Sequence, residues 1–220
     1  MEKLRIKSAE ILVTSEKNPP IIRNRLSSIP GKDSCVFGLV QVTGTPDAEK
    51  EEFADIVIKH VQYLEDLLKN ESNIPRKFEQ ILQKVNDELN EKHKNCPRLA
   101  LSTFSAVIGI QTENQLFLSG IGKLHAVFLH KTAKQRYVVY ELDKQLNEGQ
   151  DWEKPFITVL DGEFHHGDIF YLATRINVNE ITLSDLKDNL VTLPAQGALE
   201  RISLHSFPTR RSSDHRKSVV

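Results

Sequence analysis

Two long amphipathic segments, back to back between stretches of strand, constrain this chain more than any other feature. Phe53, Ile56, Val57, His60, Val61, Leu64, Leu67 and Leu68 recur at helical spacing, and so do Phe78, Ile81, Leu82, Val85 and Leu89. Each set forms one apolar stripe, which must lie on something apolar. Thr45 suits the N-cap of the first helix and Pro46 its first turn, with an end near Lys69; Pro75 opens the second. A helix pair before any return to strand argues against simple βαβ winding.

Strand patterns flank the pair. Residues 3–14 alternate in part, and 17–33 read as loop with a short extended piece at Ile21-Ile22, because Pro19, Pro20, Pro30 and Gly31 interrupt them. Cys35 to Val42 is a near-continuous apolar run expected to be covered on both faces. After the helices come Ser102–Ile110, Gln115–Ile121, Leu124–His130, Gln135–Leu142, Phe156–Leu160 and Ile169–Thr174. Glu113-Asn114 and Gly122-Lys123 are short links, and Asp161 to Asp168 is turn-rich. This spacing predicts an antiparallel meander, followed by weak helix over 178–190. The order predicts an α+β domain over residues 1–204: a four-layer sandwich of two stacked antiparallel sheets flanked by helices.

Composition excludes several function classes. Among 220 residues, 29 basic and 30 acidic groups nearly cancel, which leaves no electrostatic footprint for nucleic acid or an anionic membrane. No apolar run approaches the ~20 residues of a bilayer span. Two cysteines without a CxxC pattern predict reduced thiols and a cytoplasmic protein; Cys35 is expected to be packed rather than reactive. His60 reads as a core-edge histidine. Ser102-Thr103 lacks any recognisable partner for a nucleophile.

Four segments in order resemble the type 2C, metal-dependent protein phosphatases (the PPM family). Phe37-Gly38-Leu39-Val40-Gln41-Val42-Thr43-Gly44, followed by a long helix, resembles that family's strand and acidic-glycine loop. Leu101 to Val107 resembles its small-residue strand opening, and Leu116 to Ala126 its Gly-Asp hairpin. Gly167 to Arg175 resembles the late strand that ends in Ser-Asp-Gly. The resemblance implies the fold. It also implies two divalent ions, Mn²⁺ or Mg²⁺, held by aspartates and activating a water against a phosphomonoester.

The residues at those positions oppose that activity. Gln41-Val42 stands at the acidic-glycine pair, Gly122-Lys123 at the Gly-Asp pair and Arg175-Ile176 at the late Asp-Gly; Arg23-Asn24-Arg25 is only a faint echo of the early signature. Cations beside a divalent ion cost several kcal/mol of repulsion. The expectation is therefore a catalytically silent pseudophosphatase without cofactor, whose partner is a protein or a phosphorylated ligand. Mn²⁺ or Mg²⁺ is expected only if the family's activity is retained. Lys123, His125 and Arg175 form a candidate anion pocket. Two alternatives stand beside it: an active phosphatase with ligands relocated to Asp161, Glu163, His165, His166 and Asp168, or an unrelated α+β interaction module. Residues 205–220 resemble a translated sequencing adapter. They are read as an artefactual tail on a truncated chain, whose closing strand would lie past Ile202. The oligomeric state leaves no signature.

Overall fold

Residues 20–29, 32–44, 47–70, 73–146, 150–174 and 181–205 are described by a computed structural model. They fall into two compact units, 20–174 and 181–205, within the span read as one domain over 1–204. The strand expected over 3–14, the Thr45-Pro46 cap, Arg175 and residues 206–220 lie outside the described residues.

In the larger unit, two periodicities build three layers. Helix α1 (Ala48–Asn70) begins where the Asp47 carboxylate accepts the Lys50 N–H at 2.8 Å, so Asp47 caps it. Helix α2 (Ile74–Asn95) carries proline in its first turn, as expected, and buries Phe78, Ile81, Leu82, Val85 and Leu89. The two stripes cover one face of a five-stranded antiparallel sheet. That sheet contains β1 (Ile21–Ser28), β2 (Cys35–Val42), β3 (Phe104–Gln111), β4 (Gln115–Ile121) and β7 (Leu160–Glu163), ordered β1-β2-β3-β4-β7. Val36, Val40, Phe104, Ile108 and Phe117 fill the helix–sheet core.

A second antiparallel sheet, ordered β6-β5-β8, contains β5 (Leu124–Lys131), β6 (Tyr137–Glu141) and β8 (Ile169–Thr174). Leu124, Ala126, Phe170 and Leu172 meet Val107, Leu118 and Phe37 of the large sheet. The Phe37 and Phe170 rings stand 5.6 Å apart across the gap. Two stacked antiparallel sheets under a helix pair agree with the α+β expectation. The smaller unit pairs α4 (Leu183–Thr192), which overlaps the weak helix expected over 178–190, with α5 (Ala195–His205), a helix not expected there. Thr182 caps α4 by accepting the Asp185 N–H. Among the described residues no helix is long and apolar enough to cross a membrane.

Four local expectations are corrected. The strands form no single meander: β4 and β5 lie in different sheets, and so do β7 and β8. Residues 21–28 form a full strand rather than a loop with a short extended piece. Its polar residues are satisfied by α1, where Arg25 donates to Glu65 at 2.7 Å and Arg23 to Asp55 at 3.3 Å. Residues 101–103 make a 3-10 turn, so β3 starts at Phe104 rather than Ser102. Phe156 to Val159 make no ladder. Asn86 of α2 clasps the Phe156 N–H and C=O at 2.8 and 3.0 Å, and Ser119 donates to the Thr158 carbonyl at 2.7 Å. These side chains satisfy the backbone that a strand would otherwise have to pair.

Candidate functional site

The site is framed where several strands end together. β2 leaves the large sheet at Thr43-Gly44, with Gly44 at φ +100°. The Thr43 N–H donates to the Thr103 carbonyl at 2.9 Å, which ties this exit to the start of β3. The link from β4 to β5 comes to the same end. Gly122 has φ +81°, and a Cβ there would stand 2.1 Å from the Phe104 carbonyl oxygen. Only glycine fits such a turn, left-handed and pressed on backbone. The Lys123 N–H donates to Ser105 Oγ at 3.0 Å. Gln150 clamps the turn, accepting the Gly122 N–H at 3.2 Å and donating to the Gly120 and Leu146 carbonyls.

An open cleft of about 380 Å³ lies at this turn, lined by Leu101, Ser102, Gly122, Lys123, Leu124, Asp143 and Gln150. Lys123 is exposed there. Asp143, at the start of α3 (Asp143–Leu146), is the one carboxylate among the described residues that line it. The structure therefore places Lys123 at the cleft, as expected. His125 does not line it. Its neighbours Leu124 and Ala126 pack between the sheets, so alternation turns His125 to the other face of β5, where its ring meets Tyr171 edge-on at 6.0 Å. Burial pushes the Tyr171 hydroxyl up to about 12. The expected convergence of Lys123 and His125 between the sheets is thus not formed, and Arg175 lies outside the described residues. Gln41 is buried two residues inside β2, opposite Ser105. The residue preceding the turn glycine at the strand exit is Thr43.

Two divalent ions need several hard oxygen donors, commonly carboxylates. The described lining of the cleft offers one carboxylate, Asp143, beside a lysine. An ammonium about 4 Å from a divalent ion is repelled by roughly 8 kcal/mol at an effective dielectric near 20. Lys123 is exposed and free to swing away, so the missing carboxylates weigh more than the repulsion. The described donor set does not fit a two-metal centre.

The second candidate set lies elsewhere. β5 starts beside the cleft and ends at Lys131, so its last residues stand ~20 Å away along the strand. There Asp168, whose side chain is fully buried, accepts the Lys131 and His165 N–H groups, each at 2.8 Å. His130 Nδ1 lies 3.1 Å from Asp168 Oδ1, and His165 Nδ1 3.7 Å from Oδ2. Glu163 reaches His165 Nε2 at 3.3 Å. So Glu163, His165 and Asp168 come together as a group, whereas Asp161 lies exposed on β7 opposite Phe117, and His166 lies exposed beyond the group. Sequence reasoning missed His130, which lies 35 residues before His165 along the chain.

His60 is buried and faces Glu88 of α2 at 2.8 Å. Burial pushes the Glu88 carboxyl up, but Lys59 and His60 outweigh it and hold it below the ordinary range. Cys35 is buried; desolvation pushes its thiol up to about 11 despite a contact with Gln111, and a neutral thiol is a poor nucleophile. Ser102 lines the cleft without a histidine beside it in the lining.

No protein-family model matches the chain, and no curated protein sequence does. Solved structures do. The serine/threonine phosphatase PstP of Mycobacterium tuberculosis is 12% identical, with 85% of this chain and 92% of that one covered and a TM-score of 0.56. The catalytic domain of PstP in complex with two manganese ions is 13% identical over 85% and 91%, with a TM-score of 0.57. The type 2C phosphatase domain of SpoIIE from Bacillus subtilis, with a fragment of its regulatory domain, is 11% identical over 88% and 57%, with a TM-score of 0.51. Identities this low speak for the backbone and not for the chemistry built on it. The two stacked antiparallel sheets and the helix pair give this chain the fold of the type 2C phosphatases.

Proposed function

We propose that this chain is a catalytically silent type 2C phosphatase-fold domain that works by binding. The reading rests on the donor set of the cleft. The glycine turn that shapes the site is kept, yet Lys123 follows it, and Asp143 is the one carboxylate among the described lining residues. Without a pair of divalent ions, no metal-bound water is generated to attack a phosphomonoester. A cleft that carries an exposed ammonium suits an anionic group, and the proposed occupant is a phosphorylated side chain of a partner protein.

Incubation with millimolar Mn²⁺ or Mg²⁺ and an aryl phosphate tests the silent reading. Turnover should equal that of buffer. Metal-dependent turnover that disappears in Asp143→Asn would refute it. The binding half is tested with a phosphoserine peptide: Lys123→Ala should weaken its capture several-fold, and capture indifferent to that change would place the anion elsewhere.

A further inference from the structure

We propose that His130, His165 and Asp168 form a binding site for one divalent transition ion of the zinc class, at the end of the small sheet remote from the cleft. The inference goes beyond the proposed function and does not depend on it.

The geometry carries the proposal. One ligand atom from each of His130, His165 and Asp168 lies within 4.8 Å of the other two. A tetrahedral ion with bonds of about 2.0–2.1 Å holds its ligand atoms about 3.3 Å apart. The histidine–carboxylate separations, 3.1 Å from His130 to Oδ1 and 3.7 Å from His165 to Oδ2, straddle that value. Asp168 is held for the task. Each of its oxygens accepts one backbone N–H, which fixes the carboxylate, and an ion would take the direction of Oδ1 that His130 Nδ1 faces in this structure. The supporting contact is also present, since Glu163 stands 3.3 Å from His165 Nε2. A histidine that ligates through Nδ1 carries its proton on Nε2, and a carboxylate partner there fixes the ring and raises its basicity. Two imidazoles select zinc-class ions over Mg²⁺ or Ca²⁺. His165 is half exposed and leaves an entry path.

Placement gives the ion a structural role. His130 is the penultimate residue of β5 and Asp168 immediately precedes β8, the two being strands of the small sheet, while Glu163 ends β7 in the large one. An ion bound there pins both sheets at one corner. It also offsets the crowding of two imidazoles around a buried carboxylate, their rings 5.6 Å apart.

Calorimetric titration of the chelator-stripped full chain with zinc chloride tests this, with thermal melts in zinc and in chelator as a second readout. One saturable equivalent is expected, together with a melting temperature that rises in zinc and falls back in chelator. His130→Asn and His165→Gln, which keep the hydrogen bonds around Asp168, should each weaken zinc at least tenfold. Glu163→Gln should weaken it about tenfold while stoichiometry is kept. His166→Gln, next in sequence but outside the group, should change nothing. Absence of saturable binding and of any melting shift in the wild-type chain would overturn the proposal. So would zinc binding indifferent to His130→Asn, or lost equally in His166→Gln.

Discussion

The two ends of the small sheet make opposite use of the same strands. At the cleft end the backbone is specified tightly: Gly122 presses on Phe104, Gln150 clamps the turn, and Thr43 is tied to Thr103. Yet the side chains there supply one described carboxylate and a lysine. At the far end the backbone is an ordinary link between strands, but a buried carboxylate and two imidazoles are drawn together. The shape of a site and the donors in it are therefore separable. A turn can be fixed by packing, here of Gly122 against the backbone of β3, whatever donors line the site beside it.

The largest effect that sharpens this contrast is Gly122→Ala. The new Cβ meets a backbone oxygen and the residue is forced to a positive φ, so a loss of about 4 kcal/mol is expected in urea unfolding. Gly162→Ala on β7, where a Cβ would meet nothing within 4 Å, should stay within about 0.5 kcal/mol of wild type. Equal losses at the two positions would mean that the cleft turn is not specially built.

Asp168→Ala breaks the far end. It strands two backbone N–H groups, so about 2–3 kcal/mol should be lost by the same measurement. A neutral result would show that the carboxylate holds neither the loop nor any ion.

A smaller effect separates both ends from the edge strand β1. The hydrogen bond from Arg25 holds the Glu65 carboxyl below its ordinary range. A lowered folded value means that stability is present above the unfolded carboxyl's value and is lost as pH falls through the folded one. Glu65→Gln should therefore cost about 0.5 kcal/mol at pH 7. The gap to wild type should narrow below about pH 5 and close once Glu65 is protonated in the folded chain. A gap that stayed constant down to acid pH would assign the loss to packing.

Periodicity made much of the frame legible. The stripes of α1 and α2, the apolar run of β2 and the bounds of β4 follow from side-chain spacing, because each element buries one continuous face. Strand β1 is hidden because Pro19, Pro20, Pro30 and Gly31 crowd it on both sides, and its Arg23 and Arg25 are satisfied only by Asp55 and Glu65 of α1. The division of strands between two sheets was hidden for another reason: a two-residue link reads alike whether it closes a hairpin or, as at Gly122-Lys123, turns a corner. At the sites, Lys123 was visible through local pattern, and His165 with Asp168 through sequence proximity. His130 could not be found this way, since only the pairing of Leu129 with Ile169 brings its strand end beside Asp168. His125 was misassigned because a position one residue along a strand changes face.

Hydrolysis of an aryl phosphate by the purified chain in millimolar Mn²⁺ tests the central claim most directly. Rates indistinguishable from buffer, in wild type and in Asp143→Asn alike, are the predicted result. Saturable, manganese-dependent turnover in wild type that Asp143→Asn abolishes would contradict it.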